Sequence, residues 1–403
     1  MRTPTLPALR RPLRLRGVSL IEVMVGMAVG LVASLVIMRS FTASETFRRN
    51  VGGVADSVQT AAISGARLNM LFEEAGASFV QGRNVWGCKL AATRNKAALF
   101  PAGSYPDPFG TFPKQVRVMP VGILDGGDAN SDIVAVMSGS SAASNRSLPF
   151  DSSDGKSLTV TNPNGIGTVA GAVDDLILSV PQDVAGGPGT CQIVQVASDF
   201  SGGTAVSDAS LGLKVMPAEA AVVAPASYTL VKLNLLDTSY GALASVADSP
   251  SAFHLGREAA VTFSLISVNS NGELVEYDLL QRRGVQSFGE NVVLLKARYG
   301  VAPPNSEVIN EWIAPSEWTL SSLMDGSTGR EQMIDRIKAI RIGVAVRSSQ
   351  IVNTEAKLTQ LVLFGDQTGV RKFSRDLTTD EQRYAYQVYD WVIPLRNMKA
   401  TPK

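Results

Sequence analysis

The chain has one histidine, His254, and two cysteines, Cys88 and Cys191, among 403 residues, and only 6% of it is aromatic. These scarcities exclude whole chemistries. One imidazole and two thiols leave almost no material for a His/Cys metal centre, so no metal site and no cofactor are expected. There is no second histidine, nucleophile elbow or phosphate-cradling loop, so no catalytic set can be assembled and the chain reads as a non-enzyme. Gly186-Gly187-Pro188-Gly189 lacks the lysine of a phosphate loop and reads as a turn. Charge of one sign is scarce as well. The formal net charge is +1, from 37 basic and 36 acidic residues. Setting aside the five arginines that precede Glu22 leaves 32 basic residues against 36 acidic, a net of about −4, which gives no reason to expect a nucleic-acid partner.

Two further absences organise the N-terminus. No acidic residue precedes Glu22, and no proline lies between Pro12 and Pro101. From Val18 to Met38 there are 21 residues with one charge, Glu22. As a helix they span roughly 30 Å, the thickness of a bilayer core. The upstream Arg2, Arg10, Arg11, Arg14 and Arg16 hold the N-terminus in the cytoplasm and send the remainder across. An acid inside such a span marks a functional position, and it calls for a cation at similar depth. A plain one-pass anchor with an acid near its end is the alternative. Gly26, Gly30 and Ser34 recur every four residues, a face on which another helix can come close.

Arg16-Gly17-Val18-Ser19-Leu20-Ile21-Glu22 resembles the class III leader of type IV pilins and type II secretion pseudopilins. The resemblance implies removal of residues 1–17 by prepilin peptidase between Gly17 and Val18, with methylation of the new N-terminal Val18. Valine stands here where that family usually has phenylalanine. It also implies that the freed α-amine of Val18 meets Glu22, on the same subunit or a neighbour, and sets its axial register.

Beyond Met38 the apolar residues Phe47, Val51, Val54, Val58, Ala61, Gly65, Leu68, Phe72, Ala75 and Phe79 step by four and three. This predicts one helix from Val18 to Val80, about 95 Å if straight. Residues 18–38 form its membrane and assembly half and 39–80 its amphipathic half. The expected fold is therefore α+β and pilin-like: a long N-terminal helix packed by its C-terminal half on an antiparallel sheet, with an enlarged β-rich head over 81–403.

Within that head, a strand is expected near Val116 to Val118 and another at Ile133 to Met137. The Asx-rich stretch Asp125 to Asp132 lacks the glycine and closing glutamate of an EF-hand loop and reads as a turn. Residues from about 140 to 250, rich in Ser, Gly and Ala, read as an elaboration with short strands at Leu158–Thr161, Leu176–Val180, Gln192–Ala197 and Tyr228–Leu236. A hairpin is expected at Asn271-Gly272, between the Val261–Leu265 alternation and Leu274–Leu280. A strand at Val292–Tyr299, helices at Glu317–Met324 and Glu331–Lys338, a half-buried strand over Ile340–Arg347 and a closing strand at Tyr386–Leu395 follow. Cys88 and Cys191 both fall in the exported part, where disulfides persist, and are expected to be bridged, with two buried thiols the alternative.

Five stretches resemble the PilW-like minor pilins: Ser131 to Val136, His254-Leu255-Gly256, Glu290 to Gly300, Ile337 to Ser348 and Gln387 to Asn397. The resemblance implies a low-abundance subunit that helps start a type IV pilus. Its implied partners are other minor pilins, the major pilin, prepilin peptidase and the inner-membrane assembly platform. Its implied location is the inner membrane with the head in the periplasm, and then the pilus. A type II secretion minor pseudopilin shares the leader, and a pilus-borne adhesin using residues 140–250 as a binding surface is the other open reading.

Overall fold

The computed structural model describes residues 19–79, 85–94, 97–127, 130–140, 148–151, 157–161, 175–180, 189–196, 230–234, 251–327, 329–351 and 358–398. It is an α+β protein with a single long helix followed by many strands. Two compact units divide it, Met1–Gly53 and Val54–Lys403.

The helix α1 runs over Leu20–Glu73, shorter at its C-terminal end than the Val80 expected. It ends because Gly76 takes φ +80°, a left-handed conformation that an L side chain resists. The Gly76 amide donates to Met137 O at 2.8 Å instead of continuing the helix.

In chain order the strands and short helices are β1 (Lys89–Arg94), β2 (Ala97–Phe100), β3 (Val121–Leu124), β4 (Ile133–Ser138), β5 (Leu148–Asp151), β6 (Ser157–Thr161), β7 (Asp175–Val180), β8 (Thr190–Gln195), β9 (Leu230–Asn234), β10 (Ser251–Arg257), β11 (Thr262–Val268), β12 (Leu274–Asp278), β13 (Val285–Gly289), β14 (Val292–Val301), β15 (Glu311–Ile313), α2 (Leu320–Leu323), α3 (Arg330–Asp335), β16 (Ile337–Arg347), β17 (Gln360–Leu363), β18 (Phe373–Asp376) and β19 (Tyr386–Pro394). They build four sheets: β2-β1-β8-β7-β10-β5-β6-β9, β13-β12-β11-β4-β3, β15-β14-β16-β19, and the pair β17-β18. Neighbours run antiparallel except β1 and β8, which run parallel.

The hairpin forms where Asn-Gly predicts it. Gly272 takes φ +77°, and Asn269 Oδ1 accepts from the amides of Asn271 and Glu273 at 3.0 and 2.9 Å. That side chain stands in for a backbone turn, so Asn269 shapes the loop together with the dipeptide.

Three expectations are corrected. Val116 to Val118 is not a strand; Arg117 makes one isolated bridge with Lys89. The two expected helices shrink to α2 and α3, and Lys338 lies in β16. β16 is not half-buried: Gly343 and Ala345, on its expected outer face, are covered as well. The cover is Leu363 and Phe364, and Gly343 admits them because a Cβ there would lie 2.7 Å from Leu363 Cδ2.

Between Val54 and Phe79 the stripe buries Ala61, Leu68, Phe72, Ala75 and Phe79, while Val58 is 52% exposed and Ser57 and Ser64 lie inside. At Ser64 and Gly65 the neighbours come close enough to favour small residues. A Cβ on Gly65 would sit 2.8 Å from the Trp391 ring, and one on Gly289 would sit 2.5 Å from Ser64 Oγ. Burying a side chain such as Phe72 or Leu68 stabilises by about 1.5 to 3 kcal/mol.

Candidate assembly helix and its supporting motifs

Residues Leu20–Thr42 of α1 have mean hydropathy 2.4 and none of them is buried. A helix that is apolar all round and uncovered is long and apolar enough to cross a membrane. Glu22 is exposed in its first turn, and among the described residues no cation pairs with it. The amides of Glu22 and Val23 donate to Ser19 O at 3.0 and 3.2 Å, so the backbone around the acid is helical. Gly26 and Gly30 have no atom within 4 Å of where a Cβ would be. Glu22, Gly26, Gly30 and Ser34 are spaced by four, so the acid lies on the same inclined ridge as the small residues. Gly17 and Val18, the expected cleavage and methylation positions, lie outside the described residues.

Cys88 and Cys191 form a disulfide with Cα atoms 5.8 Å apart. It sits at the start of the parallel β1–β8 pair, where Leu90 is in register with Cys191. His254 of β10 is buried with its Nε2 3.4 Å from Asp175 Oδ2, a core contact between paired strands. Among the described residues no group of three or more His, Cys, Asp or Glu could hold a metal ion.

Four of the five stretches that carried the pilin resemblance meet one another, and His254-Leu255-Gly256 lies in β10, paired with β7. Asp132, fully buried, receives Lys296 Nζ at 2.8 Å, the Gly126 amide at 3.0 Å and the Ala297 amide at 2.9 Å. Burial pushes the Asp132 carboxyl up, against the pull of Lys296 and the two amides. Lys296 Nζ also donates to Gly127 O at 2.6 Å and lies 4.9 Å from the Phe373 ring centre. Lys296 thus ties together the described ends of the Asx-rich stretch, Gly127 and Asp132. Tyr299, also fully buried, accepts from the Ile123 amide at 2.6 Å.

On the far face of β16, Arg341 holds Asp366 through two nitrogens at 2.7 and 2.9 Å and Asp390 through Nε at 2.9 Å. The guanidinium holds the Asp366 carboxyl well below the usual carboxylate range. Ser348 donates its amide to Ala385 O and accepts the Ala385 amide on its hydroxyl, fixing the start of β19. At the other end Arg396 pairs with Glu73, and Asn397 Nδ2 donates to Glu74 O at 3.1 Å. The Arg-Asn after the closing strand therefore supplies partners to the end of α1.

Sequence reading missed these partnerships. Lys296 stands in an apolar run, and a buried lysine beside an isolated Ser-Asp before another strand was the available signal. Asp366 had none, being an ordinary loop acid.

An uncovered apolar helix bearing one acid, followed in the chain by a disulfide-bonded β-rich unit, is compatible with a protein anchored in a membrane near its N-terminus. Residues 266–397, about a third of the chain, match the family model described as PilW, Type IV Pilus-assembly protein W. The matched region runs from within β11 to Asn397 and contains Lys296, Arg341 and the Arg396-Asn397 pair. The match supports a PilW-like relationship and a part in type IV pilus assembly. No curated protein and no solved structure matches the chain.

Proposed function

We propose that the protein is a minor pilin that primes and takes part in type IV pilus assembly. The observation that carries this reading is the PilW match over 266–397, and it favours a pilus over a secretion pseudopilus. The uncovered helix Leu20–Thr42 supports insertion in the inner membrane with the β-rich unit in the periplasm. The close approach of Thr60 and Ser64 to Gly289 and of Gly65 to Trp391 supports a pilin-like packing of that helical stretch on strands. Prepilin peptidase cuts between Gly17 and Val18, and Val18 is then methylated. The new amine is the cation that Glu22 lacks among the described residues, and a shared charge pair sets where the subunit sits among its fellows. Gly26, Gly30 and Ser34 continue the ridge on which a neighbouring helix packs. Partners are other minor pilins, the major pilin and the assembly platform; no catalytic activity is assigned.

Protein purified from membranes is expected to begin at Val18. Glu22→Ala is expected to be made and cleaved normally yet to leave cells without pili. A mature chain that starts elsewhere, or normal piliation with Glu22→Ala, overturns the role given to the acid.

A further inference from the structure

Most sheet edges among the described residues are short, including β9 with five residues and β17 and β18 with four each. β15 has three residues, β2 and β3 have four each, and β13 has five and pairs with a register shift, as β2 does. Short or irregular edges are poor templates for another strand. β19 differs: its nine residues pair with β16 in unbroken register from Arg347↔Tyr386 to Ala339↔Pro394, and among the described residues nothing pairs on its other side.

The hydrogen bonds at its two ends fix which groups face out. Leu395 donates to Lys338 O at 2.9 Å and Ser348 donates to Ala385 O at 2.8 Å, both directly opposite in that register. Antiparallel pairs alternate, so the odd-numbered residues of β19 exchange bonds with β16. Tyr386, Val388, Asp390 and Val392 therefore turn their backbone amides and carbonyls to the free edge. Val388 and Val392 are 41% and 54% exposed. Between them, Asp390 shares one guanidinium, Arg341, with Asp366, which leaves one negative charge in excess. Arg347 lies at the far end of the edge, over the Tyr384 ring.

We propose that the free edge of β19 takes an extended segment of a different polypeptide as a fifth strand of this sheet, with β-branched or other apolar residues beside Val388 and Val392 and a lysine or arginine beside Asp390. Main-chain bonds supply affinity and the side-chain pattern supplies selectivity. A second copy of the same strand fits poorly. Antiparallel pairing over the full strand, like in-register parallel pairing, sets Asp390 next to Asp390, and like charges side by side are unfavourable. This edge belongs to residues 386–394 and does not depend on the fate of the N-terminal helix.

The test places benzoylphenylalanine at Val392 in the full-length chain in its native membrane, with Val308, 74% exposed and away from the edge, as the control position. Illumination is expected to give an adduct at 392 and none at 308, with the attached peptide mapping to an extended apolar, basic, apolar stretch of another protein. Val388→Pro removes an outward amide while sparing the bonds to β16, so it lowers adduct yield roughly tenfold. Val388→Lys keeps every backbone bond and lowers the yield as well, which carries the test if the proline variant fails to fold. The lysine variant's unfolding midpoint stays within about 3 °C of the parent. No adduct, an adduct with a second copy, one mapping to a helix or an acidic stretch, or a yield unchanged in the folded variants overturns the proposal.

Discussion

Two stretches of α1 use similar residues to opposite ends. From Leu20 to Thr42 every side chain is exposed, although nearly all are apolar. From Ser57 to Phe72 the helix keeps one buried face, Ala61, Leu68 and Phe72 among it, and one exposed face with Ile63 and Met70. The first stretch has no cover among the described residues and is long and apolar enough to cross a membrane. The second finds strands, and small residues let it approach them. Two acids sharpen the contrast. Asp132 sits in the core with Lys296 and two amides around it, whereas Glu22 sits on an apolar helix with no cation among the described residues. One acid is satisfied by its own chain; the other has no ion-pair partner among the described residues.

The largest expected effect separates the two acids. Asp132→Ala leaves Lys296 buried without its carboxylate and is expected to cost roughly 3 to 5 kcal/mol in chemical unfolding. Replacing both partners, Asp132→Leu with Lys296→Met, recovers most of that loss. Glu22→Ala leaves the same unfolding transition unmoved. An equal loss from the Glu22 and Asp132 variants would break the contrast.

Next comes the two-faced stretch. Leu68→Ala is expected to cost about 2 to 5 kcal/mol, and Met70→Ala, two residues along on the exposed face, under about 0.5 kcal/mol. Equal losses would mean that the stretch is covered on both sides.

The smallest effect concerns acid. Arg341 depresses the Asp366 carboxyl in the folded protein, so the stabilisation is complete above the ordinary carboxylate range, near pH 4, and is lost as pH falls through the lowered folded value. Asp366 is 55% exposed, so solvent and salt screen the pair. Unfolding followed below pH 4 is expected to show a shallow loss that Arg341→Met removes. An unaltered acid slope in that variant would place the sensitivity elsewhere.

Much of the frame was legible in the residues. The lack of proline and the four-three stripe gave α1, and period-two alternation around Asn271-Gly272 gave the β11–β12 hairpin. What stayed hidden was set by groups distant along the chain. Gly343 reads as an outward position until Leu363 and Phe364 fold over it. The stripe reads as running through Val58, yet Val58 is exposed and Ser57 and Ser64 lie inside, and at Ser64 closeness to Gly289 favours a small side chain. The α1 terminus was misplaced by a few residues because Gly76 can continue a helix as well as break one, and the bond to Met137 decides.

Asn397 lies 323 residues beyond the Glu74 carbonyl that it holds. That clasp can close only once the chain has been made through Asn397. Until then the residue just past α1 lacks that bond, so completing the Val54–Lys403 unit includes a contact of very long sequence separation, a kind that slows folding.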